Sequence, residues 1–170
     1  MKAITQSKPP HTVLVVDDDS RLLRSLATLI HSAGFNALTF DRPAHLLASE
    51  LPKADVCLLL DVHMPEMNGV QLYETLAVGR PDLPVIMMTG RDDPQTRHLL
   101  RRVSAVAVLN KPFDEGLLFD AIFRALALSR KLDGKRQNTS VAKRRTPPPG
   151  SGIGAVKSAS NPVSLTTLQG

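Results

Sequence analysis

The chain has 170 residues, of which 42% are hydrophobic, and its formal net charge is +5. This composition is typical of a soluble globular protein, and no apolar run approaches the roughly 18 residues that would span a bilayer. No apolar segment near the N-terminus resembles a signal peptide, so a cytoplasmic protein without a membrane segment is expected. The single cysteine, Cys57, excludes an internal disulfide, and its apolar neighbours indicate a small buried side chain.

Five short β-type segments are predicted in chain order. They cover residues 13–16, 37–40, 56–60, 85–88 and 106–109. Four of the five are continuously apolar, which is typical of strands covered on both faces of a sheet.

Helical patterns separate these segments. In the first, apolar side chains recur at helical spacing between residues 22 and 30, and Gly34 can end the helix. The fourth is supported only by Leu99, Leu100 and Val103, whereas the fifth has an apolar stripe between residues 117 and 126. The helix starts are indicated by residues that favour caps, first turns or the position just before a helix: Asp19 or Ser20, Pro43, Gly69, Asp93 with Pro94, and Asp114.

The alternation of strands and helices predicts an α/β fold of the (βα)5 type in about 120 residues. A connection between parallel neighbouring strands needs a crossover, which is usually a helix. The sheet is therefore expected to be parallel, five-stranded and doubly wound, with helices on both faces.

Polar residues stand where the predicted strands end. Those after the first, third, fourth and fifth strands are Asp17, Asp18 and Asp19; Asp61; Thr89; and Asn110, Lys111 and Pro112. In open α/β sheets the ligand crevice lies beyond the carboxyl ends of the strands. Distant segments are thus expected to bring carboxylates, a hydroxyl and an ammonium group to one rim of the sheet.

Crowded carboxylates repel one another unless a cation neutralises them. An all-oxygen cluster with few protein ligands suits Mg²⁺, and a lysine beside it indicates a dianionic guest such as phosphate. Asp61 is then a candidate nucleophile that accepts a phosphoryl group. Each motif alone is also compatible with an ordinary exposed turn, and the prediction depends on their combination.

Four segments, VLVVDDD, LLLDVHMPEMNG, VIMMTG and LNKPF, together resemble the receiver domain of two-component response regulators. The resemblance covers about residues 10–130, and the second and fourth segments are its most specific parts. The segment KPFDEGLLFDAIFRALALSR is most similar to receivers of transcriptional regulators that carry a C-terminal helix-turn-helix. The resemblance implies a flavodoxin-like sheet with strand order 2-1-3-4-5.

The resemblance also implies a metal site. Asp18 matches the carboxylate that binds Mg²⁺ directly, and Asp17 matches a neighbour that acts on the metal mostly through water. Asp61 matches the phosphorylated aspartate, which also contacts the metal. His63 lies where the backbone carbonyl is the third protein ligand, so its imidazole need not take part.

Further residues match the parts of the family that respond to phosphorylation. Thr89 matches a hydroxyl that moves toward the phosphoryl group, and Lys111 matches the lysine that pairs with it. The Lys111–Pro112 peptide is often cis in the family. The donor would be a phosphohistidine on a sensor histidine kinase, and the domain would catalyse only its own phosphorylation and dephosphorylation.

Two positions depart from the family pattern. Val108 stands where the family often has an aromatic residue that rotates inward on phosphorylation, and Ser104 stands where a glycine commonly precedes the fifth strand. An output protein is expected on the face formed by the fourth helix, fifth strand and fifth helix. The basic residues of the fourth helix are compatible with an acidic docking partner or with a solvated surface.

The charge is unevenly distributed. Residues 1–130 contain 14 Lys/Arg and 15 Asp/Glu, a net charge of −1, whereas residues 131–170 contain 7 and 1, a net charge of +6. We predict a flexible N-terminus at 1–10, a receiver domain at 11–130 and a basic, Pro/Gly/Ser-rich disordered tail at 131–170. No output domain is recognisable in that tail, so nucleic-acid binding is not expected from the receiver itself.

Three other functions remain as alternatives. A truncated or tail-mediated DNA-binding transcriptional regulator would bind duplex in a salt-dependent way through residues 131–170. An aspartate-nucleophile phosphohydrolase also uses Asp and Mg²⁺ on a parallel sheet, but it needs a second acid where this chain has His63. A phosphate sink or single-domain adaptor differs from a regulator of transcription only in its partner.

Overall fold

The computed structural model describes residues 11–144, with the side chains of residues 11–132. In this part of the chain five strands alternate with five helices. The strands are β1 (Thr12–Val16), β2 (Asn36–Phe40), β3 (Val56–Asp61), β4 (Val85–Thr89) and β5 (Ala107–Asn110). The helices are α1 (Ser20–Ser32), α2 (Pro43–Leu47), α3 (Gly69–Gly79), α4 (Pro94–Leu100) and α5 (Glu115–Arg144).

The strands form one parallel sheet in the order β2-β1-β3-β4-β5. Their register places Asp61 opposite Met88 and Thr89 opposite Asn110, so these strands end at the same edge of the sheet. The predicted (βα)5 fold with flavodoxin-like strand order is confirmed.

The core has two layers, one on each face of the sheet. Alternate residues of β1 and β3 point to opposite faces, as the period of a strand requires. Val15 and Leu59 pack with α1 and α5, whereas Leu14 and Leu58 pack with α2 and α3. All four side chains are fully buried, which explains why these strands are continuously apolar in sequence.

Local capping explains where several helices begin. The Asp19 carboxylate accepts hydrogen bonds from two backbone amides of α1, and Asp93 accepts one from the Thr96 amide at the start of α4. Asn68 and Gln71 form a reciprocal capping box at α3, which the sequence analysis did not identify. The weakly supported α4 is present, with only seven residues.

The last helix is longer than expected. It continues to Arg144, whereas the predicted tail begins at residue 131. Each residue added to an existing helix gains a hydrogen bond without a new nucleation cost, so polar residues can extend it. The predicted N-terminal segment 1–10 and the rest of the predicted tail, 145–170, lie outside the described residues. Within the described part, no helix combines the length and apolarity needed to cross a membrane.

Candidate functional site

The three aspartates after β1 have different environments. Asp17 is buried at 1% exposure, and its Oδ1 accepts a hydrogen bond from the Asp19 amide at 2.9 Å. Asp18 and Asp19 are exposed, and Asp19 caps α1. Asp17 therefore faces the interior of the rim, while Asp18 lies at its solvent side.

Asp61 is the last residue of β3 and is only 3% exposed. Its Oδ2 accepts a hydrogen bond from the His63 amide at 2.8 Å. A sharp loop follows, and the Gly69 amide at the start of α3 donates to the Val62 carbonyl at 3.0 Å. The opening of α3 thus returns to the end of β3 and encloses the backbone of Asp61.

Gly69 is a site residue whose role the sequence analysis did not identify. A Cβ built at this position would lie 2.1 Å from the Asp61 carbonyl oxygen and 3.0 Å from its carbonyl carbon. Any side chain would therefore push α3 away from the strand that carries Asp61. The Asn-Gly pair in the loop was a signal for a turn, but only the fold shows this close backbone approach.

Lys111 links the two buried carboxylates. Its Nζ donates to Asp17 Oδ2 and to Asp61 Oδ1, each at 2.6 Å, and its side chain is 23% exposed. Its backbone amide donates to the Thr89 carbonyl at 2.7 Å, which fixes the start of the loop after β5. The Lys111–Pro112 peptide is cis.

Burial and pairing act against each other in this cluster. Burial raises the pKa of Asp61 above its usual range, although Lys111 and the His63 amide favour the ionised carboxylate. Burial by itself would lower the pKa of Lys111, but the hydrogen bonds to Asp17 and Asp61 outweigh it and raise that pKa. Two carboxylates with one ammonium group carry a net negative charge, so a further cation is favoured here.

Thr89 ends β4, the strand next to β3, and Val108 lies on β5, the edge strand beyond it. The Thr89 side chain is buried, and its hydroxyl donates to the Arg91 carbonyl at 2.9 Å and accepts from the Arg91 amide at 3.1 Å. The hydroxyl is thus engaged with the loop after β4 rather than with Asp61. Val108 on β5 is 45% exposed.

The donor atoms at this rim fit Mg²⁺. Each oxygen of Asp17 and Asp61 has one hydrogen-bond donor, which leaves a second lone pair free for another ligand. With Asp18 and the His63 carbonyl, the available ligands are all oxygens, as Mg²⁺ prefers. Among the described residues, however, no three side chains of His, Cys, Asp or Glu already converge on one point. Two buried carboxylates therefore form the preorganised part of the candidate site.

A cleft of about 370 Å³ opens beside Asp18. Asp18 lies on one wall, Met64 and Glu66 from the loop after β3 lie on another, and Arg42 contributes a cationic side chain. The cleft therefore borders the rim at the exposed Asp18, whereas Asp17, Asp61 and Lys111 are not among the residues that line it.

The topology and this rim define the receiver class of signalling domains. The family model of the response regulator receiver domain matches residues 13–123. The chain belongs to this family, whose members include the receivers of transcriptional regulators. The resemblance stated from the four sequence segments is confirmed.

Individual relatives agree with this assignment. Nodulation protein W of Bradyrhizobium diazoefficiens is 34% identical over 128 residues, which cover 75% of this chain and 56% of that protein. The transcriptional regulatory protein TdiR of Thauera aromatica is 31% identical over 132 residues, covering 78% and 58%. The chain thus spans about half the length of the curated relatives it matches.

Solved structures give the same result. The response regulator StyR matches with a TM-score of 0.73 and 34% identity, over 79% of this chain and 68% of that chain. A structure of FixJ-N matches with a TM-score of 0.62 and 29% identity, over 71% and 96%.

Proposed function

We propose that the chain is the phosphoacceptor of a two-component system and that Asp61 is the residue phosphorylated. The observation that carries the proposal is the pair of 2.6 Å contacts from Lys111 to Asp17 and Asp61. A buried carboxylate ending a central strand, beside a second carboxylate and a lysine, is suited to nucleophilic attack on phosphorus.

In the proposed reaction an oxygen of Asp61 attacks the phosphorus of a phosphohistidine on a sensor histidine kinase. The new O–P bond forms as the P–N bond breaks, and the imidazole leaves with its electron pair. The His63 amide holds the second oxygen of Asp61 and so orients the carboxylate. Lys111 lies where it can pair with an oxygen of the arriving phosphoryl group.

The proposed protein ligands of Mg²⁺ are Asp17, Asp18, Asp61 and the His63 carbonyl. When bound, the ion would neutralise negative charge on the phosphoryl oxygens and between the carboxylates. Hydrolysis of the resulting acyl phosphate would return Asp61 to its free state. The protein would therefore act as a signalling domain that catalyses only its own phosphorylation and dephosphorylation.

The proposal is tested by incubating the chain with acetyl phosphate and Mg²⁺ and measuring its intact mass. We expect one phosphoryl group on the wild type and none on Asp61→Asn. Asp120→Asn, an exposed acid on α5, is the matched control and should label like the wild type. Labelling of Asp61→Asn at the wild-type level would place the acceptor elsewhere. Omission of Mg²⁺ is expected to abolish most of the labelling.

Control of transcription is the proposed output, because the relatives include proteins named transcriptional regulators. The helical continuation of α5 to Arg144 gives this idea a physical route, since it would connect the receiver rigidly to whatever follows. A direct DNA-binding role for residues 131–170 is the second candidate, favoured only by their net charge of +6. Salt-dependent duplex binding that is lost on deletion of these residues would support it.

A further inference from the structure

One side-chain contact joins the loop after β3 to α4. His63 Nε2 lies 3.0 Å from Thr96 Oγ1, a hydrogen bond in which either group can donate, according to the imidazole tautomer. Thr96 is only 1% exposed. The Thr96 side chain is also hydrogen-bonded to the Asp93 carboxylate, so its hydroxyl lies between His63 and the cap of α4.

The same two residues also contact the ends of their own segments. The His63 amide donates to Asp61 Oδ2 at 2.8 Å, and the Thr96 amide donates to Asp93 Oδ1, the cap of α4, at 2.7 Å. A continuous series of hydrogen bonds therefore runs from the Asp61 carboxylate through His63 and Thr96 to the first turn of α4.

We propose that the His63–Thr96 hydrogen bond positions the His63 amide for Asp61 and couples the state of Asp61 to the position of α4. His63 and Thr96 act as positioning residues, since neither side chain contacts the Asp61 oxygens. The coupling part rests on the proposed function, whereas the positioning part concerns the unphosphorylated protein.

The environment of β5 supports this route. Val108 is a small aliphatic residue, 45% exposed, and offers no ring that could rotate into the sheet edge. The Thr89 hydroxyl is engaged with Arg91 in the loop before α4. Within the described residues, the His63 imidazole is a polar side chain of the Asp61 loop that hydrogen-bonds to a buried atom of α4. Coupling through it is reciprocal, so a change at α4 alters Asp61 as well.

The variants separate the hydroxyl from the shape of the side chain. Thr96→Val keeps the volume and removes the hydroxyl, whereas Thr96→Ser keeps the hydroxyl and removes a methyl group. Thr75→Val is the matched control, because Thr75 is an exposed residue of α3 whose hydroxyl donates to the Gln71 carbonyl of its own helix. His63→Leu removes the other partner at a half-buried position and keeps the test available if Thr96→Val does not fold.

The first measurement uses the unphosphorylated chain and follows amide hydrogen exchange of His63 by NMR. We expect Thr96→Val and His63→Leu to exchange about fivefold or more faster at residue 63, a typical coupling magnitude. Thr96→Ser and Thr75→Val should stay within about twofold of the wild type. Equal exchange at residue 63 in Thr96→Val and the wild type would overturn the positioning role, whether or not Asp61 is phosphorylated.

The second measurement compares exchange of α4 amides before and after labelling with acetyl phosphate and Mg²⁺. The wild type and Thr96→Ser should show a change in amide exchange at residues 95–100. Thr96→Val should lose most of that change while still becoming labelled. The double variant His63→Leu/Thr96→Val should lose no more of the α4 exchange response than the more strongly affected single variant. Additive effects, or a full α4 response in Thr96→Val, would refute the coupling and leave phosphorylation of Asp61 intact. Absence of labelling in the wild type would instead refute the proposed function.

Discussion

Substitution of Gly69 tests the link between the packing of α3 and the strand that carries Asp61. In Gly69→Ala the new Cβ would lie 2.1 Å from the Asp61 carbonyl oxygen and 3.2 Å from Leu60 Cγ. Ordinary contacts in a close-packed interior are about 3.5 Å, so the two backbones must separate by about 1.4 Å. The obstructing atom belongs to the backbone of a central strand and has no rotamer that would relieve the contact.

The magnitude follows from two contributions. Forcing extra volume into a packed core costs about 1–3 kcal/mol. The hydrogen bond from the Gly69 amide to the Val62 carbonyl is disturbed by the same displacement, which adds about 1 kcal/mol. We expect Gly69→Ala to lose about 3 kcal/mol of unfolding free energy. This loss leaves a typical domain of 5–15 kcal/mol still folded.

The assay is urea unfolding followed by far-UV circular dichroism, since the chain has no tryptophan. Gly79→Ala at the other end of α3 is the matched control, because a Cβ there meets no atom within 4 Å. That variant should be unchanged or gain up to about 1 kcal/mol from lower conformational entropy of the unfolded chain. Equal stability of Gly69→Ala and Gly79→Ala would refute the inferred backbone contact. Gly69→Ala should also label more slowly with acetyl phosphate, since the displacement reaches Asp61 directly.

Three further predictions concern other parts of the fold. Burial holds the pKa of Asp61 above 3.8 in the folded protein, so the wild type loses unfolding free energy as pH rises through that pKa. Asp61→Asn has no carboxylate to ionise and should therefore unfold at a higher urea concentration than the wild type at pH 7. This difference in urea midpoint should shrink toward pH 4. Burial raises the pKa of Cys57 from 9.0 to about 12, so the stability difference between the wild type and Cys57→Ala should fall by about 1.4 kcal/mol per pH unit above pH 9; a constant difference would contradict this. Asn68→Ala removes one half of the α3 capping box and should cost about 1 kcal/mol in urea unfolding, with no loss expected if Gln71 caps the helix alone.

Sequence patterns predicted the fold because the relevant forces are local and periodic. Continuous apolar runs such as residues 56–60 identify strands covered on both faces, and both faces are indeed covered. The rim could be predicted for the same reason, since residues that end parallel strands must share an edge. The strand order brings together Asp17, Asp61 and Lys111, which are far apart in sequence. Their proximity could therefore be predicted from the ends of the strands alone.

The remaining features depend on distances that periodicity does not encode. The approach of Gly69 to the Asp61 carbonyl is set by the angle at which α3 leaves the loop. The His63–Thr96 contact joins residues 33 positions apart, and a lone histidine after a strand gives no sign of its partner. The extension of α5 to Arg144 runs against the composition of its last turns, because an established helix lowers the cost of each added residue.

The contacts at the rim also bear on how much energy a switch would need. Lys111 already has two carboxylate partners, and the Thr89 hydroxyl already donates to and accepts from the Arg91 backbone. A phosphoryl group on Asp61 would therefore offer these groups replacement partners rather than first ones. When a group exchanges one hydrogen-bond partner for another, the free energy changes less than when an unpaired group gains its first partner. A single dianion can shift the populations of two conformations only when their free energies differ by a few kcal/mol, and two such hydrogen-bonded arrangements meet this condition.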